Sequence, residues 1–276
     1  MKIFNFKDLK KRVLISIILI SLIIFLLYFH KNIFIIPILI AIVTLLTSFS
    51  ILEFIKISKQ KNIFLKKIIL IPSSIFLILS FYLLSKNEKY NLLPFILLLF
   101  IFILLFLSRL KEISGTLEYL SISFFSLIYI AFPLGLIFPI LYSEKGIIFL
   151  IYTLLITKSA DIGAYFGGRI FGKNILCKEV SPKKTYEGVF SSFIFAISIG
   201  IVFTFFTKEI TISLTIILSS ILTLFAIIGD LIESIIKRDV QIKDSSNLPG
   251  FGGFLDMLDS LLLNLPIIYF YIKVFR

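Results

Sequence analysis

Apolar stretches long enough to cross a bilayer follow one another along almost the whole chain, and that pattern alone excludes most folds. A bilayer-spanning helix needs about 20 apolar residues. Such runs lie near residues 12–29, 33–52, 68–85, 92–108, 119–142, 146–160, 188–206, 211–229 and 258–274. Isoleucine, leucine and phenylalanine occupy all sides of each run, which indicates lipid contact rather than one buried face of a soluble helix. The chain has 276 residues, 59% of them hydrophobic, and a mean hydropathy of +1.08; a soluble domain of this size has no means of covering so much apolar surface. The expected fold class is therefore an all-α polytopic membrane protein of about nine transmembrane helices. The basic start MKIFNFKDLKKR and the run after it have the outline of a signal peptide. That run is too long and lacks a small-residue cleavage site, so a first span is expected there.

Charge sets the expected orientation. With the N-terminus cytoplasmic and the C-terminus outside, 21 of the 28 Lys and Arg residues fall on the cytoplasmic side, as the positive-inside rule requires. Two long polar interruptions, residues 157–188 and 229–260, then face the cytoplasm together. The net charge of +12 is read the same way, as basic loops against an anionic lipid surface and not as a nucleic-acid site. One cysteine (Cys177) and one histidine (His30) exclude an internal disulfide and a zinc site built from His and Cys. His30 falls in a short turn between two spans, which argues against a Ser-His-Asp apparatus. Chemistry is left to Asp, Glu, Lys, Arg, Ser and a metal ion.

The chain divides by polarity into N-terminal transmembrane helices, residues 1–110, and a catalytic transmembrane region, residues 111–276. The first four spans carry almost no intramembrane polarity, and Glu53, Lys56 and Lys59 are expected to form a solvated face just beyond the second. Pro133 and Pro139 predict a kink or break in the span at 119–142. No internal repeat is evident.

Acidic residues concentrated between apolar spans are costly to hold near a bilayer, so they point to a site. Five of the seven aspartates (Asp230, Asp239, Asp244, Asp256 and Asp259) lie in the second polar stretch, and Asp161 lies in the first. Asp161 is expected to end a span, with Arg169 or a bound cation as its partner. Gly163 and Gly167 read as a helix-packing pair. In SPKKTYEG, Ser181 or Thr185 is placed to cap the next helix, and Lys183 and Lys184 suit a triphosphate or a lipid phosphate. If residues 229–240 are helical, Asp230, Glu233 or Ser234, and Lys237 share one face, as do Asp256 and Asp259. Pro249 and three glycines keep the segment between them irregular. Two carboxylate-bearing helix ends around such a loop suit a hard cation and a nucleotide triphosphate.

The order Ser234-x-x-Lys237-Arg238, Lys243-Asp244-Ser245-Ser246 and Pro249-Gly-x-Gly-Gly-x-Leu-Asp256-x-x-Asp259-Ser260 resembles the signature of the phosphatidate cytidylyltransferases, the CDP-diacylglycerol synthases. The upstream Asp161-x-Gly-Ala-Tyr-x-x-Gly-Arg169 and Ser181-Pro-Lys-Lys-Thr-x-Glu-Gly are similar to that family too, so the motif-bearing likeness covers residues 157–266. Phe251 stands where the family usually has His, and Met257 where it usually has Arg. Both changes remove a polar group and leave every carboxylate in place.

The resemblance implies CTP and phosphatidate as substrates, CDP-diacylglycerol and pyrophosphate as products, Mg²⁺ with room for a second cation, and a homodimer. It also implies a bacterial cytoplasmic (inner) membrane with the site facing the cytoplasm. On this reading Asp230, Lys237, Asp256 and Asp259 are catalytic. Asp230, Asp256 and Asp259 hold metal, with Asp244 and Asp161 as further ligands. Lys237 and Arg238 bind phosphate. Ser181, Lys183, Lys184, Lys243 and Ser245 complete the substrate contacts, and Asp239 is a solvated charge. Two other readings use the same residues: a CTP-dependent polyprenol or phytol kinase, which would release CDP, and an ion-coupled transporter.

Overall fold

The structure is a computed structural model, and it describes residues 28–242, Ser245 and residues 253–275. The expected first span at 12–29, Lys243, Asp244 and the loop with Pro249 and Phe251 thus fall wholly or largely outside the described residues. Two compact units divide the chain, residues 1–42 and 43–276. In the first, His30 lies in the turn region before α1 (Ile35–Lys59), and Asn32 Oδ1 accepts a hydrogen bond from Phe34 N–H at 2.9 Å. Everything that follows concerns the second unit.

Beyond α1 come α2 (Lys67–Lys86), α3 (Leu93–Leu107) and α4 (Thr116–Ser126). A π-helical turn, Leu127–Ala131, then leads into two short pieces, α5 (Phe132–Gly135) and α6 (Ile137–Leu141). This is the break that the two prolines predict. Pro133 and Pro139 have no N–H to give the preceding turn, and the chain widens, with Phe132 N–H reaching back to Leu127 O. Long helices α7 (Gly146–Phe171), α8 (Tyr186–Thr207) and α9 (Ile212–Asp239) follow, then α10 (Phe254–Leu262) and α11 (Asn264–Phe275). Counting Thr116–Leu141 and Phe254–Phe275 as one crossing each, eight helical segments among the described residues are long and apolar enough to cross a membrane. Large apolar side chains point outward from them, Phe190, Phe206 and Leu99 among them, as lipid-facing surfaces require.

Helices α7, α8 and α9 form the heart of the second unit. Gly163 and Gly167 lay α7 directly on Ser191 and Phe195 of α8, so the small-residue pair packs helices as expected. Hydroxyls join the same three helices in the apolar interior: Tyr152 and Ser219 lie 2.7 Å apart, and Thr204 and Thr215 2.6 Å apart. Between α7 and α8 the chain forms an antiparallel hairpin, β1 (Ile175–Cys177) and β2 (Ser181–Thr185). Glu187 pins it by accepting from Lys173 N–H at 3.1 Å and from the Asn174 side chain at 2.8 Å. Of the two expected caps, Thr185 fills the position, its hydroxyl accepting from Gly188 N–H at 3.2 Å; Ser181 is spent on the strand.

Candidate active site

The polar ends of α7, α9 and α10 and the strand β2 surround one cavity of about 570 Å³. Helix α7 contributes Lys158 and Asp161, β2 contributes Lys183 and Lys184, α9 contributes Asp230 and Lys237, and α10 contributes Asp256, Asp259 and Ser260. They meet because α7 and α9 do not stop where the apolar runs stop. Both continue as helix beyond the hydrocarbon-length segment, to Phe171 and Asp239, and carry their charged residues on ordered turns.

Asp259 is the most deeply placed of these aspartates, 8% exposed. It accepts from Ser260 N–H at 2.5 Å and lies 3.2 Å from Ser260 Oγ, and among the described residues it has no ion pair. The Ser260 hydroxyl also lies 3.4 Å from Asp161 Oδ1, which draws α7 to α10. Asp230 follows Gly229, and a Cβ on that glycine would lie 2.4 Å from the Asp259 carbonyl oxygen. Asp161, Asp230 and Asp259 thus crowd one wall. Their counter-charges are Lys158, 3.1 Å from Asp161, and Lys184, 2.6 Å from Asp230. Arg169, the other expected partner of Asp161, lies two helical turns further on and donates to Tyr165 OH instead.

Asp256 is held differently. Its Oδ1 pairs with Lys237 Nζ at 2.6 Å, and its Oδ2 accepts from Ser245 N–H at 3.1 Å, with the Ser245 hydroxyl also 3.1 Å away. Lys237 bonds Glu233 as well, also at 2.6 Å, and Glu233 is fully buried. The charge of Lys237 is therefore taken up by two carboxylates inside the protein, although the residue borders the cavity. The helical face expected from Asp230 to Lys237 does form. Ser234 Oγ approaches Asp230 Oδ1 at 3.4 Å, one turn on.

Other expected residues lie outside the cavity wall. Arg238 donates to the carbonyls of Val180 and Ile242, at 3.1 and 3.0 Å, and so tethers the hairpin to α9. Ser181 opens β2, opposite Cys177 and away from the cavity lining. Asp239 is exposed and pairs with Lys61 at 2.5 Å. Met257 is on the outer side of α10 and 44% exposed.

One residue must be corrected. Glu53 is not on a solvated face: it is 4% exposed and accepts hydrogen bonds from the Ser245 hydroxyl and from the N–H groups of Phe254 and Leu255. Lys56 and Lys59 follow it at helical spacing and suggest solvent, but the face that carries Glu53 also carries Thr47 and Ser50, both buried. Small hydroxyls one and two turns before an acid were the available signal. Ser260, which bridges Asp161 and Asp259, was likewise visible only as part of a motif.

Carboxylates are the ligand type that a hard cation takes. A buried carboxylate without an ion pair is costly, and among the described residues Asp259, beside Asp161 and Asp230, has none. Among the described residues no three acidic side chains converge tightly enough to hold an ion alone. An ion held here would take fewer carboxylates and complete its shell with phosphate oxygens and water. The lysines on β2 line the same cavity, Lys184 paired with Asp230, and bring positive charge to where an anion would bind.

A family profile described as the cytidylyltransferase family matches residues 10–275. Among curated proteins, the chain is 36% identical over 196 residues to the phosphatidate cytidylyltransferase of Chlamydia muridarum, covering 66% of this chain and 64% of that one. It is 42% identical over 136 residues to that of Haemophilus influenzae, 47% of each chain. It is 37% identical over 134 residues to that of Bacillus subtilis, 48% of this chain and 50% of the other. The matches thus span about half to two thirds of the length of these relatives.

Proposed function

The chain belongs to the cytidylyltransferase family, and on that premise we propose that it transfers the cytidylyl group of CTP to phosphatidate, giving CDP-diacylglycerol and pyrophosphate. The observation that carries this reading is the buried Asp259, without an ion pair among the described residues, beside Asp161 and Asp230 in a cavity that Lys183 and Lys184 also line. A cavity lined by carboxylates and lysines in a lipid-facing protein suits a reaction between two phosphate-bearing substrates, one of them a lipid.

In that reaction a phosphate oxygen of phosphatidate attacks the α-phosphorus of CTP. The bond from the α-phosphorus to the bridging oxygen breaks, and pyrophosphate leaves with its electron pair. The acceptor is already an anion, so no covalent enzyme intermediate is required. The protein's task is to bring two anions together in line and to neutralise them. Lys184 and Lys183 hold phosphate oxygens from β2, with Asp230 orienting Lys184 through their ion pair. Lys237 acts mainly by fixing Asp256. Mg²⁺, held by carboxylates from among Asp230, Asp259 and Asp161 together with substrate phosphate oxygens and water, would supply charge neutralisation. The lysine and arginine asymmetry and the bacterial relatives support a bacterial cytoplasmic membrane with the site facing the cytoplasm. The homodimer rests on the family resemblance.

The test is incubation of the purified protein with labelled CTP, Mg²⁺ and phosphatidate. A CDP-diacylglycerol product with stoichiometric pyrophosphate is expected. Release of CDP with a phosphorylated lipid alcohol would identify a kinase instead. Ion flux without CTP turnover would identify a transporter.

A further inference from the structure

Helix α10 carries Asp256 and Asp259, yet its own N-cap residue cannot cap it. That residue is Gly253, and a Cβ there would meet Ser245 Oγ at 1.9 Å and Glu53 Oε2 at 2.6 Å. The first N–H groups of a helix have no partner within the helix and must find acceptors elsewhere. Phe254 and Leu255 find theirs in Glu53 of α1, at 3.0 and 2.9 Å, across 201 and 202 residues of sequence. An ionised carboxylate only accepts, so it matches this set of donors. The ring of Phe49, one turn earlier on α1, stacks on Phe254 at 4.9 Å and 14°. Ser245 completes the contact: its hydroxyl is 3.0 Å from Glu53 Oε2 and 3.1 Å from Asp256 Oδ2, and its single proton serves one of them at a time.

We infer that Glu53 is a positioning residue for cytidylyl transfer: by capping α10 from another helix and holding Ser245, it sets where Asp256 and Asp259 stand relative to Asp230. The inference rests on the functional reading above. Asp256 lies in the first turn of α10 and Asp259 one turn further, so a shift at the helix start moves both.

The experiment compares Glu53→Gln, Glu53→Asp and Ser245→Ala in the full chain, purified in detergent. Glu53→Gln should lower kcat about 10- to 100-fold, with the KM values for CTP and phosphatidate within about threefold of wild type. Glu53→Asp, which keeps the carboxylate, should recover part of that loss. Independently of turnover, hydrogen exchange in the peptide covering Phe254 and Leu255 should quicken about tenfold or more in Glu53→Gln, while a peptide from α2 is unchanged. Wild-type kcat in Glu53→Gln, unchanged exchange at Phe254–Leu255, or a kcat loss that only tracks the folded fraction would each overturn the inference. If Glu53→Gln does not fold, Ser245→Ala decides. It leaves the cap on Phe254 and Leu255 and the Ser245 N–H bond to Asp256, but removes the hydroxyl that joins Glu53 to Asp256, and wild-type kcat in that variant sinks the proposal. A wild-type protein that makes no CDP-diacylglycerol refutes the functional reading, whereas the exchange measurement still reports on Glu53.

Discussion

Replacing Gly229 with alanine tests whether the spacing of α9 and α10 sets the rate. The added Cβ would lie 2.4 Å from the Asp259 carbonyl oxygen and 3.3 Å from its carbon. A carbon–oxygen contact relaxes to about 3.3 Å, so the two helices must part by about 0.9 Å. The obstacle is backbone, and no change of rotamer relieves it. Asp230 is the next residue on one helix, and Asp259 is the residue struck on the other, so their separation changes directly. A misplacement of about 1 Å in a reacting constellation costs about 100-fold in rate. Overpacking of this kind costs about 1–3 kcal/mol in stability. Gly229→Ala should therefore lose about 100-fold in kcat per folded molecule and remain purifiable. The control is Gly200→Ala on α8, where the Cβ would meet only side chains, Ser219 Oγ at 2.5 Å and Thr215 Cγ2 at 3.0 Å. It should destabilise to a similar or smaller extent and keep turnover within about threefold. Turnover is measured on the monodisperse fraction, with thermal aggregation followed by size exclusion. If Gly229→Ala keeps near-native turnover, or Gly200→Ala loses as much, the helix-spacing argument is wrong.

Two further outcomes follow from the way the carboxylates are partnered. Asp259→Asn should abolish turnover and yet raise thermal stability in metal-free buffer, because it removes a buried charge that has no ion pair among the described residues. Asp256→Asn should instead lower stability by about 1–3 kcal/mol, since both of its oxygens are engaged; equal losses in the two variants would refute the distinction. Lys61→Met breaks a pair whose side chains are 44% and 57% exposed. It should change stability by no more than about 1 kcal/mol and leave turnover unaltered, as read by thermal unfolding and the same product assay.

The spans were legible in the sequence because lipid imposes a length on apolar runs. Their ends were less so, since hydropathy reports the solvent around a helix and not the helix itself. Residues 161–171 and 230–239 leave the apolar pattern, but nothing in them stops the backbone ladder, and α7 and α9 run on. The hairpin was hidden for the opposite reason. SPKKT has no apolar alternation, and its strand is fixed from outside by Glu187 and Arg238. The aspartates stood out through the cost of placing them there. The difference between Asp256 and Asp259 did not, because three residues apart on one helix they look alike. Lys237 and Ser245, distant in sequence, neutralise or bond only the first. The sequence puts Glu53 on a solvated face because its neighbours Lys56 and Lys59 are charged, while the partners that bury it lie some 200 residues on.

The lengths of the long helices act as a depth gauge. At about 1.5 Å per residue, Asp230 stands about 27 Å from the start of α9 at Ile212. On the same scale Asp161 stands about 22 Å from Gly146, and Asp259 about 24 Å from Phe275. Counted from the opposite ends of three separate crossings, the three carboxylates lie at nearly the same distance along the chain. A hydrocarbon layer is about 30 Å thick, so each of these helical stretches is long enough to carry its carboxylate most of the way across one. On the proposed function, a lipid-borne phosphate would meet these carboxylates from the membrane side, and the nucleotide would arrive from water.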